Sequence, residues 1–129
     1  MLTGSTITTL LPVSDVDRAA RFYTETLGLK LNGTGDDGSV FLSTGRGDLI
    51  GLRPMPEGSR SERTALSFEV DDLEAEIKEL ESRGVTFADF DSDDLRTVHH
   101  IAHLGNERAS WFHDSEGNVL CLHEVTGRA

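Results

Sequence analysis

One pattern is written twice along this chain, and it constrains the fold more than any single residue does. Each copy opens with a strand-like run ending in Val, Leu11-Pro12-Val13 in the first and Phe68-Glu69-Val70 in the second. An acidic turn follows, then a helix. The spacing of apolar residues predicts the first helix over 15–27, with Val16, Ala19, Ala20, Tyr23 and Leu27 on one face. It predicts the second over 72–83, with Leu73, Ile77 and Leu80 as the stripe. Asp71 and Glu74 read as a capping box for that helix. Gly28 and Gly84 stand where a helix end favours a left-handed residue. Strand candidates follow at 29–32, 39–43 and 49–53 in the first half, and at 86–88, 108–113 and 119–124 in the second. Each half therefore reads βαβββ, an α+β arrangement within a single domain, 1–129. The first module is 5–54, the second 64–126, and the Pro/Gly/Ser-rich stretch 55–63 is the linker.

Composition then narrows the function classes. The chain has 129 residues, which suits one domain with its own core. Twelve basic against 23 acidic residues give a formal net charge of −11. A basic face for phosphates is not available, so nucleic acid and anionic membrane surfaces are excluded as partners. Cys121 is the only cysteine, which excludes an intrachain disulfide and disfavours a cysteine zinc site. No apolar run approaches a membrane span and no leader pattern opens the chain, so a cytoplasmic location is expected.

Three segments carry a family resemblance. They are Val13-Ser14-Asp15-Val16-Asp17-Arg18-Ala19-Ala20-Arg21-Phe22-Tyr23 running on to Leu27-Gly28-Leu29, Leu66-Ser67-Phe68-Glu69-Val70-Asp71-Asp72-Leu73, and Trp111-Phe112-His113-Asp114-Ser115-Glu116-Gly117-Asn118-Val119-Leu120. Together they resemble the vicinal oxygen chelate superfamily, which is also called the glyoxalase/bleomycin-resistance/dioxygenase superfamily. The resemblance implies two βαβββ modules paired into a cup-shaped mixed sheet, and frequent homodimers. It also implies where a metal would be held in the enzymes, on inward positions of the first and last strands of each module. In this sequence those positions are Thr8, Gly51, Ala65 and Cys121, none of them His, Asp or Glu. A divalent-metal site needs three or four converging His or carboxylate ligands, so neither metal nor cofactor is expected there.

Strand alternation and the family pattern then nominate a ligand-binding set: Trp111, His113, Cys121, His123, Glu69 and Ser67. Trp111 is either a stacking platform or a core or dimer-interface aromatic. Cys121 is either a nucleophile or a small buried hydrophobe, and the latter fits better because no orienting carboxylate is evident. His113 and His123 are either acid/base groups or solvated strand-end residues. No catalytic residue can be assigned. The insertion 89–106 carries Asp89, Asp91, Asp93 and Asp94, then His99, His100 and His103. A His99-x₃-His103 pair would face one way on a helix and could hold a relocated zinc; the alternative is a loop lending polar side chains.

These residues suggest a protein of the superfamily that binds a small organic molecule without the family's metal, as a homodimer. The second reading is a lyase- or dioxygenase-type enzyme of the same superfamily, metal-free or with the metal moved. A sensor module that reports ligand binding to a partner is a third.

Overall fold

The computed structural model describes residues 1–126. Two compact units divide the chain: residues 1–60 with 114–118, and residues 61–113 with 119–126. Among the described residues, no helix is long and apolar enough to cross a membrane.

The first unit opens with β1 (Thr8–Val13), followed by α1 (Val16–Arg21). Asp15 caps α1, its side chain accepting from the Arg18 N–H at 3.0 Å. The helix widens at its end into a π turn over Phe22–Thr26, with the Leu27 N–H reaching the Phe22 carbonyl at 3.1 Å. The helical stretch is therefore the one the sequence predicts, but its last turn is not α. Strands β2 (Lys30–Thr34), β3 (Val40–Ser43) and β4 (Leu49–Pro54) complete the unit's sheet in the order β1-β4-β3-β2. β1 runs parallel to β4 and the other pairs are antiparallel. Alternation sends Leu11, Val13, Val40, Leu42, Ile50 and Leu52 to the buried face, where they join Ala19 and Tyr23 of the helix.

The turn 114–118 belongs to this unit and is held by a buried carboxyl. Asp114 accepts from the Tyr23 hydroxyl at 2.6 Å, from the Glu116 and Asn118 N–H groups at 2.8 Å each, and from the Asn118 amide at 2.9 Å. That amide also donates to the Pro12 carbonyl at 2.9 Å. Burial and the adjacent Asp114 push the Tyr23 hydroxyl well above its ordinary range, so it stays a donor. Gly117 takes φ +87°, and a Cβ there would lie 2.5 Å from the Arg60 side chain, so only glycine fits. Glu116 accepts from Arg18 at 2.8 Å and from the Ser14 and Asp15 N–H groups. Its side chain is only 2% exposed, and the Arg18 guanidinium holds its carboxyl down at about 2.

The second unit repeats the plan. Strand β5 (Thr64–Glu69) leads to α2 (Leu73–Ser82), then β6 (Ala102–Leu104), β7 (Glu107–His113) and β8 (Val119–Val125). The sheet order β5-β8-β7-β6 matches that of the first unit, with β5 parallel to β8. The two βαβββ modules are thus two four-stranded mixed sheets of equivalent topology. Leu73, Ile77 and Leu80 of α2 are buried, as are Phe112, Leu120 and Leu122 of the sheet. Two expectations need correction. The cap of α2 is Asp72, whose side chain accepts from the Ala75 N–H at 3.1 Å; Asp71 does not serve. Glu74 takes no part in a box, because Arg108 captures its carboxylate at 2.6 Å. The strand predicted at 86–88 is also only a bridge, Phe87 to Phe112. The regular edge strand is β6, and residues 89–101 are looped out between the two pieces.

The Asp114 network generates two expectations. Tyr23→Phe removes a buried hydrogen bond to a carboxyl and should cost about 1.5–3 kcal/mol in urea denaturation, with the m-value unchanged. The folded-state value of Glu116 lies below its unfolded one, so its contribution is complete above pH ~4.5 and is lost as pH falls toward ~2. Glu116→Gln should therefore cost on the order of 1–3 kcal/mol at neutral pH and flatten the acid limb of the stability profile.

Candidate functional site

The site is read from the register of three strands in the second unit. Ser67 on β5 lies opposite Cys121 on β8, which lies opposite Trp111 on β7. The next row is Glu69, His123 and Ala109. A further row, past an irregularity between Thr64 and Leu66, is Thr64, Val119 and His113. Because side chains alternate across a strand, Ser67, Glu69, Cys121, His123, Trp111 and His113 share one face. Leu66, Phe68, Leu120, Leu122 and Phe112 take the other, toward the core and α2.

Ser67, His123 and Glu69 touch one another on this face, and Trp111 has partners of its own. Ser67 Oγ lies 2.5 Å from His123 Nδ1. His123 Nε2 lies 3.5 Å from Glu69 Oε1. Ser67 and Glu69 are exposed and His123 is half-buried. Trp111 is half-buried, its Nε1–H donating to Thr64 Oγ1 at 3.2 Å. Phe90 meets the indole edge-on, with centroids 5.5 Å apart and planes at 84°. Phe90 is held in turn by its N–H to Thr97 Oγ1 at 2.9 Å and by the Thr97 N–H to its carbonyl. His113 is exposed at the end of β7. Cys121 is 5% exposed, and burial pushes its thiol up, which keeps it protonated.

Two contributors were not foreseen. Thr64 is adjacent in sequence to Ala65 and lies across the sheet from Trp111, but only the bulge after it brings the hydroxyl to the indole. Phe90 sits in the insertion, where no periodicity marks a residue as facing inward.

The histidine-rich insertion corrects another expectation. No helix forms, so His99 and His103 do not share a face. Val98 and Ile101 exchange hydrogen bonds at 2.9 and 3.0 Å around His99 and His100, whose φ values are +53° and +71°. That is a two-residue hairpin turn of the primed type. His100 turns away to Asp89, 2.9 Å from Nδ1, and to Glu81, 3.5 Å from Nε2, and stacks on Phe87. His103 is exposed on β6. Among the described residues, the carboxylates of Asp72, Glu74 and Glu124 converge. All three are already engaged: Arg108 binds Glu74 and Glu124 at 2.6 and 2.8 Å, the Leu73 N–H donates to Glu124 at 3.0 Å, and Asp72 caps α2. The four positions nominated from the family resemblance, Thr8, Gly51, Ala65 and Cys121, lie in the two sheets. In the first unit Thr8 is exposed and Gly51 is buried, with Leu10 and Phe41 packed over the space a side chain there would need. In the second, Ala65 is exposed beside the buried Cys121.

A protonated, buried thiol should react slowly. Native protein should modify at Cys121 with a disulfide reagent more than about tenfold slower than protein unfolded in urea; equal rates would contradict this environment.

Comparison with known proteins places this geometry. The model of the Glyoxalase/Bleomycin resistance protein/Dioxygenase superfamily matches residues 6–122. A glyoxylase-like domain-containing protein of Didymella fabae is 30% identical over 119 residues, covering 87% of each chain. TnmS3, an antibiotic binding protein from Streptomyces sp. CB03234, superposes with a TM-score of 0.76 at 27% identity, over 98% of this chain and 99% of that one. A glyoxalase/bleomycin resistance protein from the same organism gives 0.67 at 28% identity, over 92% and 98%. With its two βαβββ units and a family match over nearly its whole length, this chain belongs to the glyoxalase/bleomycin resistance protein/dioxygenase superfamily.

Proposed function

We propose that this protein binds a small, flat organic molecule, cationic or aromatic, on the Trp111 face of its second sheet, without the metal centre of the family's enzymes. The observation that carries the reading is the mounting of Trp111. Its indole is fixed by Thr64 and Phe90, part of it stays accessible, and it shares a sheet face with Ser67, His123 and Glu69. A rigid aromatic surface next to a few polar groups is how small-molecule sites are generally made. The net charge of −11 favours the approach of a cation. The similarity to an antibiotic binding protein at 27% identity supports the same ligand class.

The metal-free part rests on donor chemistry. Thr8, Gly51, Ala65 and Cys121 offer one hydroxyl and one protonated thiol where a divalent ion needs several His or carboxylate ligands. The His99, His100 and His103 segment does not offer a substitute, since His99 and His100 occupy a tight turn and His100 is engaged by Asp89. We also propose a cytoplasmic homodimer. Leu10, 52% exposed on the open face of the first sheet, is one of the apolar side chains such an assembly would cover.

A panel of planar cationic antibiotics, bleomycin among them, tests the binding reading. Quenching of the lone Trp111 is expected, and Trp111→Ala should weaken binding by about tenfold or more in calorimetry, the loss of a stacking contact. No quenching and no thermal shift across the panel would remove it. Metal analysis of purified protein should find no stoichiometric Zn, Mn, Ni or Fe, and sedimentation equilibrium should give twice the chain mass.

A further inference from the structure

We propose that Ser67, His123 and Glu69 form a nucleophile–base–orienter set that accepts an acyl group from an activated ester. The three residues meet on one sheet face through pairing of β5 with β8, not through neighbourhood in sequence. Ser67 Oγ is 2.5 Å from His123 Nδ1, and the far ring nitrogen, Nε2, is 3.5 Å from Glu69 Oε1. A carboxylate beside Nε2 favours the tautomer that carries its proton there. Nδ1 then keeps its lone pair, and the Ser67 hydroxyl donates to it. A hydroxyl paired with a base that is itself oriented by a third group is the arrangement that activates a serine. Ser67 is exposed, so an electrophile can reach Oγ. Cys121, one strand away, is buried and protonated, and so is the poorer nucleophile of the two.

The chemistry closes without any further reagent than water. Ser67 Oγ forms a bond to the ester carbonyl carbon while its proton passes to His123 Nδ1. The bond from that carbon to the leaving oxygen breaks, and His123 returns the proton to the departing alcohol. Water then attacks the acyl-serine, gives its proton to His123, and the carboxylic acid leaves with Ser67 restored. Ser67 lies in the middle of β5, where the main chain is committed to the sheet. The substrate class that suits it is therefore one with a stabilised leaving group, an aryl ester, with Trp111 two strands away on the same face. This activity shares a face with the proposed binding site but does not require the antibiotic ligand.

The test uses the whole chain with a fluorophosphonate, in which Ser67 Oγ would bond to phosphorus as fluoride and the serine proton leave. One phosphonyl group per chain is expected, mapped by peptide mass spectrometry to the peptide bearing Ser67. The rate there should exceed that at the other serine peptides of the same digest by about two orders of magnitude. His123→Gln should bring the Ser67 rate down to theirs, with circular dichroism confirming that the variant is folded. p-Nitrophenyl acetate should give a burst of p-nitrophenolate equal to the protein concentration, absent in Ser67→Ala. Labelling at Ser67 no faster than at the other serines, or unchanged by His123→Gln, would overturn the proposal. Neither result would touch the binding reading, which is measured by Trp111 quenching.

Discussion

The buried Asp114 carboxyl is the interaction on which the turn 114–118 depends. It gathers donors from the Tyr23 hydroxyl, two main-chain N–H groups and the Asn118 amide, all at 2.6–2.9 Å, and so defines the turn 114–118. That turn joins β7 to β8, and a turn sets the register of the strands it connects. With Asp114 N–H bonded to the Asn118 carbonyl at 3.0 Å, His113 pairs with Val119 and Trp111 with Cys121. A slip by one residue would send Cys121 and His123 to the core face and Leu120 and Leu122 to the open one. The chemistry of the open face is therefore downstream of a buried polar network that takes no part in it.

Much of this was legible before the coordinates. The twofold βαβββ pattern could be read because each half is punctuated by local signals: an acidic cap, an apolar stripe at helical spacing, a glycine at the helix end. The six residues nominated on one face do share it, since period-two alternation is a property of any strand. What could not be read depends on contacts between distant segments. Asp72 rather than Asp71 caps α2, a one-residue question that only the entry angle of the chain decides. Glu74 looked like a capping residue, but Arg108 from β7 reaches it first. His99 and His100 are strained into positive φ by the hairpin that Val98 and Ile101 close, and nothing in the residue types announces that. Phe90 reaches Trp111 only because residues 89–101 are looped out of an interrupted edge strand.

The acidity also resolves into parts with different physical roles. Asp15 and Asp72 cap helices, and Asp114 is buried structure. Glu116 and Glu74 are both drawn down to about 2 by arginines, Arg18 and Arg108, so each is a partner rather than a ligand in waiting. Arg108 is pushed further up by Glu74 and Glu124 together, two of the three carboxylates that converge there. Glu69 differs in its partner, which is the imidazole of His123 at 3.5 Å.

The proposed recognition and the proposed reaction draw on different rows of one sheet face. The Ser67–Cys121–Trp111 row supplies an exposed hydroxyl, a buried thiol and a half-buried aromatic surface. The Glu69–His123–Ala109 row supplies a carboxylate and an imidazole, then a buried methyl group. Position 51 in the first unit carries no side chain, and Leu10 and Phe41 close over it. A sheet fixes Cβ positions to within the pleat, and what is presented there is set by the side chain alone.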